Sequence, residues 1–283
     1  MSGMTIGVTG ATGRLGGRVA QRLAAAGATQ RLIVRDPARA PQLPGATSAR
    51  AAFGESDAVR AALDGVPTVL MVSASEAPDR VAEHAAFVDA AAEAGVQHLV
   101  YISFYGAAPD CAFTFARDHF ATEQHIRASG MGFTFLRDNC YADLAAYLVG
   151  PDDVIRGPAS DGRFAPVAQD DIADAASAVL LDPAAHLGAT YSLTGPEDLT
   201  LYEVAAILST KLGRPINYHS ETVEEAYTSR SSYGAADWEV DGWVSMYTAI
   251  ARGELAGVTE NIPHLTGHPA TSLAELLSRA NPT

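Results

Sequence analysis

The feature that most constrains this chain lies at its start. Met4 to Thr9 is a short β-rich run. Gly10, Gly13 and Gly16 follow in G-x-x-G-x-x-G spacing, and from Arg14 onward Leu15, Val19, Leu23 and Ala26 recur at helical intervals. Strand, glycine turn and helix in that order open a βαβ unit. The physics suits a pyrophosphate. Gly10 permits a tight turn with positive φ, Gly13 lets the backbone approach phosphates, and Gly16 lets helix and strand pack closely. The free N–H groups of the first helical turn face the anion, and the helix dipole helps. Thr12, Arg14 and Leu15 share the loop and are candidate contacts. The alternative is an ordinary turn of a doubly wound sheet with no ligand.

The pattern then repeats. Strands are expected at Arg31–Val34, Ala46–Ala52, Thr68–Val72, His98–Ser103 and Gly132–Leu136. Helices are expected at Asp57–Leu63, Arg80–Ala94 and Phe113–Ser129, the second presenting Val81, Ala85, Val88 and Ala92 on one face. Alternation of this kind means right-handed crossovers and a parallel sheet. The fold class is therefore α/β, a Rossmann-type doubly wound parallel sheet with a small C-terminal α/β lobe. Residues 1–140 are expected to form the core, with 163–195 returning to the sheet. Residues 141–162 and 196–283 are expected to form the lobe over the carboxyl ends of the strands, with substrate between lobe and sheet. After Asn139, Tyr141–Val149, Asp170–Leu181, Thr222–Ser229 and Asp237–Arg252 read as helical. Arg163–Pro166, Ala189–Leu193 and Ile216–Tyr218 read as strands. Thr200 with Glu203 is a capping box for a helix through Leu212.

Composition enters by exclusion. The chain has 283 residues, a formal charge of −14 and 48% apolar residues. That balance disfavours nucleic acid and a basic membrane face. No apolar run is long enough to span a membrane and no signal peptide precedes the first strand. Cys111 and Cys140 make no disulfide framework, so a cytoplasmic setting is expected. Whether the chain is a monomer or a homodimer stays open.

The residues resemble a known group. Thr9 to Gly16, Val34-Arg35-Asp36-Pro37 and Ala94 to Ser103 are similar to atypical short-chain dehydrogenases of the NmrA-like type. The stretch His119 to Tyr141, then Thr190 to Pro196 and Ala249 to Glu254, resembles the branch containing quinone oxidoreductase type 2 and triphenylmethane reductase. The resemblance covers most of the chain and weakens after about Gly257. It implies a Rossmann fold, a bound nicotinamide dinucleotide and hydride transfer to quinones or cationic dyes.

The end of the second strand bears on which dinucleotide. An acidic side chain there bonds an adenosine 2′-hydroxyl; a basic one pairs with a 2′-phosphate. Arg35 stands at that position, and Arg14 and Arg39 are near it in sequence. NADP(H) is favoured. Asp36 keeps NAD(H) open, because a slip of one residue presents a carboxylate. Ala52-Phe53-Gly54 occupies the region where many relatives place an acid near the adenine. Ser73, ending the fourth strand, is a further candidate for the pyrophosphate or ribose.

Ordinary short-chain dehydrogenases use Tyr-x-x-x-Lys, in which the Lys lowers the Tyr pKa and the Tyr protonates the forming alkoxide. Lys211 is the only lysine, and four residues before it stands Ile207, so no such pair exists. Aligned by its spacing from Glu123, the Lys position is His119 and the Tyr position Phe115. The missing pair points to electrophilic, conjugated acceptors whose reduced forms need no placed acid. His119 remains a candidate proton donor or ribose contact, and Ser103 a candidate beside the nicotinamide. The alternatives are a polar helix residue and a strand-end serine. Phe104, Tyr105 and Tyr141, with Trp243 and Tyr247 at i, i+4 on the late helix, are candidates for an aromatic wall around a planar substrate, or are core aromatics.

His264 and His268 have a metal-ligand spacing, but Pro263, Gly267 and Pro269 break a helix there, and no metal is expected. Neither a hydrolase elbow nor a Gly-Lys-Ser/Thr phosphate loop is present. The expected function is an NADPH-dependent oxidoreductase of conjugated acceptors. The competing readings are a non-catalytic NADP(H) sensor and a tailoring reductase or isomerase.

Overall fold

The structure, a computed structural model, describes residues 4–280. Its centre is a seven-stranded sheet of β1 (Ile6–Thr9), β2 (Gln30–Val34), β3 (Ala46–Arg50), β4 (Thr68–Val72), β5 (His98–Phe104), β6 (Gly132–Asp138) and β9 (Thr190–Leu193). Their spatial order is β3-β2-β1-β4-β5-β6-β9. The pairings of β3 with β2, β2 with β1, β1 with β4 and β4 with β5 are all parallel. The order reverses beside β1, as a doubly wound Rossmann-type sheet requires. All four residues of β1 are buried because helices cover both faces.

The crossovers are α1 (Arg14–Ala25), α2 (Ser56–Leu63), α3 (Arg80–Glu93), α4 (Thr114–Ala128) and α5 (Gln169–Leu181). One core cluster joins Leu63 of α2 and Phe87, Val88 and Ala91 of α3 to Met71, Leu99, Tyr101 and Phe135 on the strands, with Ile126 of α4. Phe87 and Phe135 have no exposed surface; burial of such a side chain contributes roughly 1.5–3 kcal/mol.

The buried face of α3 differs from the expected one. It is Arg80, His84, Phe87, Val88, Ala90 and Ala91, while Val81 and Ala85 are only half-buried. The helix is rotated by about one residue, because Phe87 is the largest side chain it can bury.

The chain divides into two compact units. The first comprises Met1–Phe104, Asp118–Arg137 and Asp170–Tyr191; the second comprises Tyr105–Arg117, Asp138–Gln169 and Ser192–Thr283. In the second unit β7 (Val154–Gly157) pairs in parallel with β11 (Asn217–Ser220), and β8 (Arg163–Phe164) pairs antiparallel with β10 (Leu199–Thr200). Its helices are α6 (Leu201–Leu212), α7 (Val223–Arg230), α8 (Asp237–Ala251), α9 (Asn261–Thr266) and α10 (Leu273–Ala280). Thr200 and Thr222 each close a capping box, with Glu203 and Glu225. The segment Ala142–Leu148 is a 3-10 turn rather than an α-helix. A helix does form around His264: Pro263 lies in the first turn of α9, where a missing N–H is tolerated, and Gly267 caps it at φ 76°. Among the described residues, no helix is long and apolar enough to cross a membrane.

Candidate functional site

The glycine loop runs from the end of β1 into α1. Gly10 is left-handed at φ 65°, and the Gly13 N–H donates to the Gly10 carbonyl at 2.8 Å. A Cβ on Gly16 would stand 2.6 Å from the Gly10 carbonyl carbon and 2.8 Å from the Thr9 oxygen, so only glycine allows this approach. Gly13 is the N-cap of α1 and no side chain caps the helix. The first turn of a helix presents N–H groups and a positive dipole end that suit an anion. Thr12, Gly13 and Arg14 are exposed, while Leu15 is buried and anchors the helix. The Val72 N–H donates to Thr9 Oγ1 at 2.9 Å, which ties the loop's root to the end of β4.

Sheet order places the carboxyl ends of β2, β1 and β4 side by side. Arg35, the glycine loop and Ser73 thus leave three adjacent strands at one edge of the same unit. Arg35 and Arg39 are exposed and Ser73 is half-buried. Asp36 is engaged locally. Its carboxylate accepts from the Ala38 N–H at 3.0 Å and caps the turn Pro37–Arg39. Phe53 packs on Phe87 at a centroid distance of 4.5 Å.

Ser103 and His119 are both withdrawn from solvent. Ser103 is 0% exposed and its hydroxyl donates to Glu123 Oε1 at 2.6 Å. Glu123, also 0% exposed, accepts from Arg137 Nε at 2.8 Å and Nη2 at 2.6 Å. The Ser103 hydroxyl is committed to a buried carboxylate. His119 is 6% exposed, with Nε2 3.0 Å from Arg80 Nη2 and Nδ1 2.8 Å from Tyr101 Oη. A guanidinium can only donate, so Nε2 accepts and the ring proton sits on Nδ1. Burial first, then the charge of Arg80, hold the pKa of His119 well below its ordinary value. Both ring nitrogens of His119 are thus engaged, Nε2 by Arg80 and Nδ1 by Tyr101.

Arg80 is a residue that apolar periodicity passes over. It is 2% exposed, its Nε and Nη1 find no hydrogen-bond partner among the described residues, and Asp118 stands 3.8 Å from Nη1. Its neighbour His84 accepts from the Ala74 N–H. The usable signal is phase: Arg80 and His84 precede Phe87 at i, i+4, i+7.

The aromatic candidates are divided between the two units. Phe104 ends β5 with its ring 6.1 Å from that of His119. In the second unit the Tyr105 hydroxyl donates to the Ala256 carbonyl at 2.8 Å and the Tyr141 hydroxyl to Asp138 at 3.0 Å. Trp243 is exposed beside Tyr233, at 6.3 Å between centroids. Tyr247 is buried under Arg230, at 5.5 Å, and against Gly157, and burial pushes its phenol up to about 12. The shared face of Trp243 and Tyr247 is thus split between surface and core. Phe115 packs its ring on Gly242 and Trp238.

Comparison with known proteins gives a consistent set. The model of the NmrA-like family matches residues 2–233. The chain is 33% identical over 273 residues to the NAD(P)H azoreductase of Xenophilus azovorans, covering 95% of each. Its structure is similar to that of the NADPH-dependent quinone oxidoreductase of Escherichia coli complexed with NADPH: TM-score 0.88 and 31% identity, over 97% of this chain and 99% of that one. It is also similar to triphenylmethane reductase of Citrobacter sp. complexed with NADP(H), with TM-score 0.86 and 29% identity over 98% and 100% of the two chains.

Proposed function

The chain belongs to the NmrA-like family and is an NAD(P)H-dependent oxidoreductase, and on that premise we propose that it passes a hydride from NADPH to a quinone-like or other conjugated electrophilic acceptor, without a Tyr-Lys pair. The residues fit the dinucleotide. The loop Gly10 to Gly16 offers uncapped N–H groups and an approach that a Cβ would close. Arg35 and Arg39 would pair with a 2′-phosphate, and the engagement of Asp36 with Ala38 supports this reading. Ser73 and Thr12 complete the cradle. When bound, the reduced nicotinamide supplies the hydride.

The observation that carries the acceptor class is the hydrogen bonding of His119. A neutral ring whose Nε2 accepts from Arg80 has no proton to give at that atom, and its Nδ1–H is held by Tyr101. The Ser103 hydroxyl is held by Glu123. An aldehyde or ketone becomes a strongly basic alkoxide and needs a placed acid. A quinone or cationic dye gives a weaker base or a neutral product, which solvent can protonate. Phe104, Tyr105, Tyr141 and Trp243 remain proposed contacts for a planar substrate; Tyr247 supports α8 from within.

The test is NADPH consumption against quinones, azo compounds, triphenylmethane dyes and aldehydes, with NADH in parallel. Turnover of conjugated acceptors at least a hundredfold above aldehydes is expected. Faster aldehyde reduction overturns the acceptor class. Tight NADPH binding without turnover of anything in the panel overturns catalysis in favour of a sensor.

A further inference from the structure

The first unit holds a buried polar chain that the proposed chemistry does not use. β4 ends at Val72, and residues 73–79 continue without strand or helix. One helical turn further on, His84 is 0% exposed, with Nε2 3.0 Å from the Ala74 N–H and Nδ1 2.9 Å from Thr122 Oγ1. A backbone N–H can only donate, so Nε2 accepts and the proton sits on Nδ1. Nδ1–H then donates to Thr122, whose own hydroxyl donates to the Asp118 carbonyl at 2.8 Å. Every proton from Ala74 to Asp118 has one allowed place. The ring is walled by Phe53 and Tyr101, at centroid distances of 5.8 and 5.9 Å. Burial first, and the charge of Arg80 second, bring its pKa down to about 3, so the chain keeps its direction at any working pH.

The place of this chain in the sheet gives it meaning. β4 lies on the side of β1 away from β2 and Arg35. A dinucleotide whose phosphates sit on the β1 loop and whose adenosine end reaches Arg35 must lay its other half across the ends of β4 and β5. Ser73 and Ala74 are the first residues beyond β4. Their backbone has left the strand ladder, and His84 supplies the Ala74 N–H with the acceptor that the ladder no longer gives.

We propose that His84, held by Thr122, is a positioning residue for the nicotinamide half of the cofactor, fixing the Ala74 amide and with it the Ser73 end of β4 in the conformation that receives the dinucleotide. This rests on the reading that the chain binds NADPH. Leucine at position 84 leaves the Ala74 N–H without its acceptor. Glutamine keeps an acceptor oxygen near the place of Nε2. Thr122→Val leaves His84 but releases its ring.

The experiment measures dissociation constants of NADPH and of adenosine 2′,5′-bisphosphate, which carries the 2′-phosphate but no nicotinamide half. The proteins are the wild type, H84Q, H84L and T122V. H84L is expected to weaken NADPH about tenfold, equivalent to ~1.4 kcal/mol, and the bisphosphate less than twofold. H84Q should stay within about threefold of the wild type, with T122V between the two. Equal weakening of both ligands, the mark of general destabilisation, overturns the assignment, and so does an unchanged NADPH constant. Should H84L fail to fold, T122V decides by the same criterion: NADPH-selective loss supports the role, and equal or absent loss removes it. A wild type that binds neither ligand overturns the NADPH reading and this proposal together. A wild type that binds NADPH, with variants that bind it as well, removes only the proposal.

Discussion

Ser103→Ala separates support from chemistry. In the structure Ser103 Oγ donates to a carboxylate that has no exposed surface, and Arg137 supplies the charge that lets Glu123 remain there. A hydrogen bond to a charged group contributes about 1.5–3 kcal/mol, so loss of the Ser103 hydroxyl should cost that much stability. Arg137→Met leaves the carboxylate buried without its main counter-charge, with Arg127 3.8 Å away; breaking a buried pair in this way costs about 3–5 kcal/mol. At roughly 2–4 °C per kcal/mol for a chain of this order, Tm should fall by about 3–12 °C for Ser103→Ala and about 6–20 °C for Arg137→Met. The assay pairs thermal unfolding with quinone turnover at a temperature where every variant is folded. Turnover of Ser103→Ala should stay within about twofold of the wild type. A tenfold fall in kcat with Tm unchanged would mean that the hydroxyl reaches the reacting atoms, and the support role would be refuted.

Arg35→Ala should weaken NADPH about tenfold or more and NADH less than twofold, since charge-assisted bonds to phosphate are worth about 1.5–3 kcal/mol; equal loss for both cofactors removes the 2′-phosphate assignment. Stability should fall below pH 6.5. Folding holds His84 and His119 neutral, with pKa values lowered, so the unfolded chain binds protons that the folded one refuses. The stabilisation is present above about pH 6.5 and is lost toward the folded pKa, about 3 for His84, at ~1.4 kcal/mol per pH unit for each ring. Urea midpoints at pH 7, 6 and 5 should show this slope, and H84Q should lack one histidine's share; a variant with the wild-type slope contradicts it. Phe115→Tyr should not create aldehyde reduction. Its hydroxyl would grow from Cζ, the ring atom already pressed against Gly242, and overpacking there should cost about 1–3 kcal/mol. Gain of aldehyde turnover with unchanged Tm would refute that packing.

What was legible in the sequence was local. β1, its glycine turn and α1 are one continuous stretch whose geometry follows from spacing, and Thr200 caps α6 by chemistry reaching three residues. β7 was invisible because its partner β11 lies about sixty residues away and each strand is four residues long; neither has a periodicity of its own. α9 was rejected on composition, although Pro263 stands where a helix accepts proline. At the site, the position of Arg35 followed from counting, but the side-chain choice of Asp36 was a matter of the turn after it, which Asp-Pro encodes and the counting ignored. The larger miss was in α3 and α4. Their buried stripes contain Arg80 and His84 on one helix and His119, Thr122 and Glu123 on the other. A search for apolar periodicity slides off such stripes onto the next residue, as it did from Phe87 toward Val81 and Ala85. The better guide is the phase of the largest aromatic, with the polar residues counted along with it.

That polar interior bears on the chemistry as a whole. On the proposed reading, three candidate proton sources are each closed by a different means. Phe115 has no hydroxyl and no room for one against Gly242. His119 is fixed as the tautomer with its acceptor nitrogen on Arg80. Ser103 gives its proton to Glu123. Adding a lysine or a tyrosine singly would leave the other two closures in place, so a carbonyl reductase is several coupled substitutions away. On the proposed adenosine side the reverse holds: the side chains of Arg35 and Arg39 are exposed and are adjustable one at a time. Cofactor preference in this chain should therefore change under single substitutions, while the proposed preference for acceptors that need no placed acid should resist them.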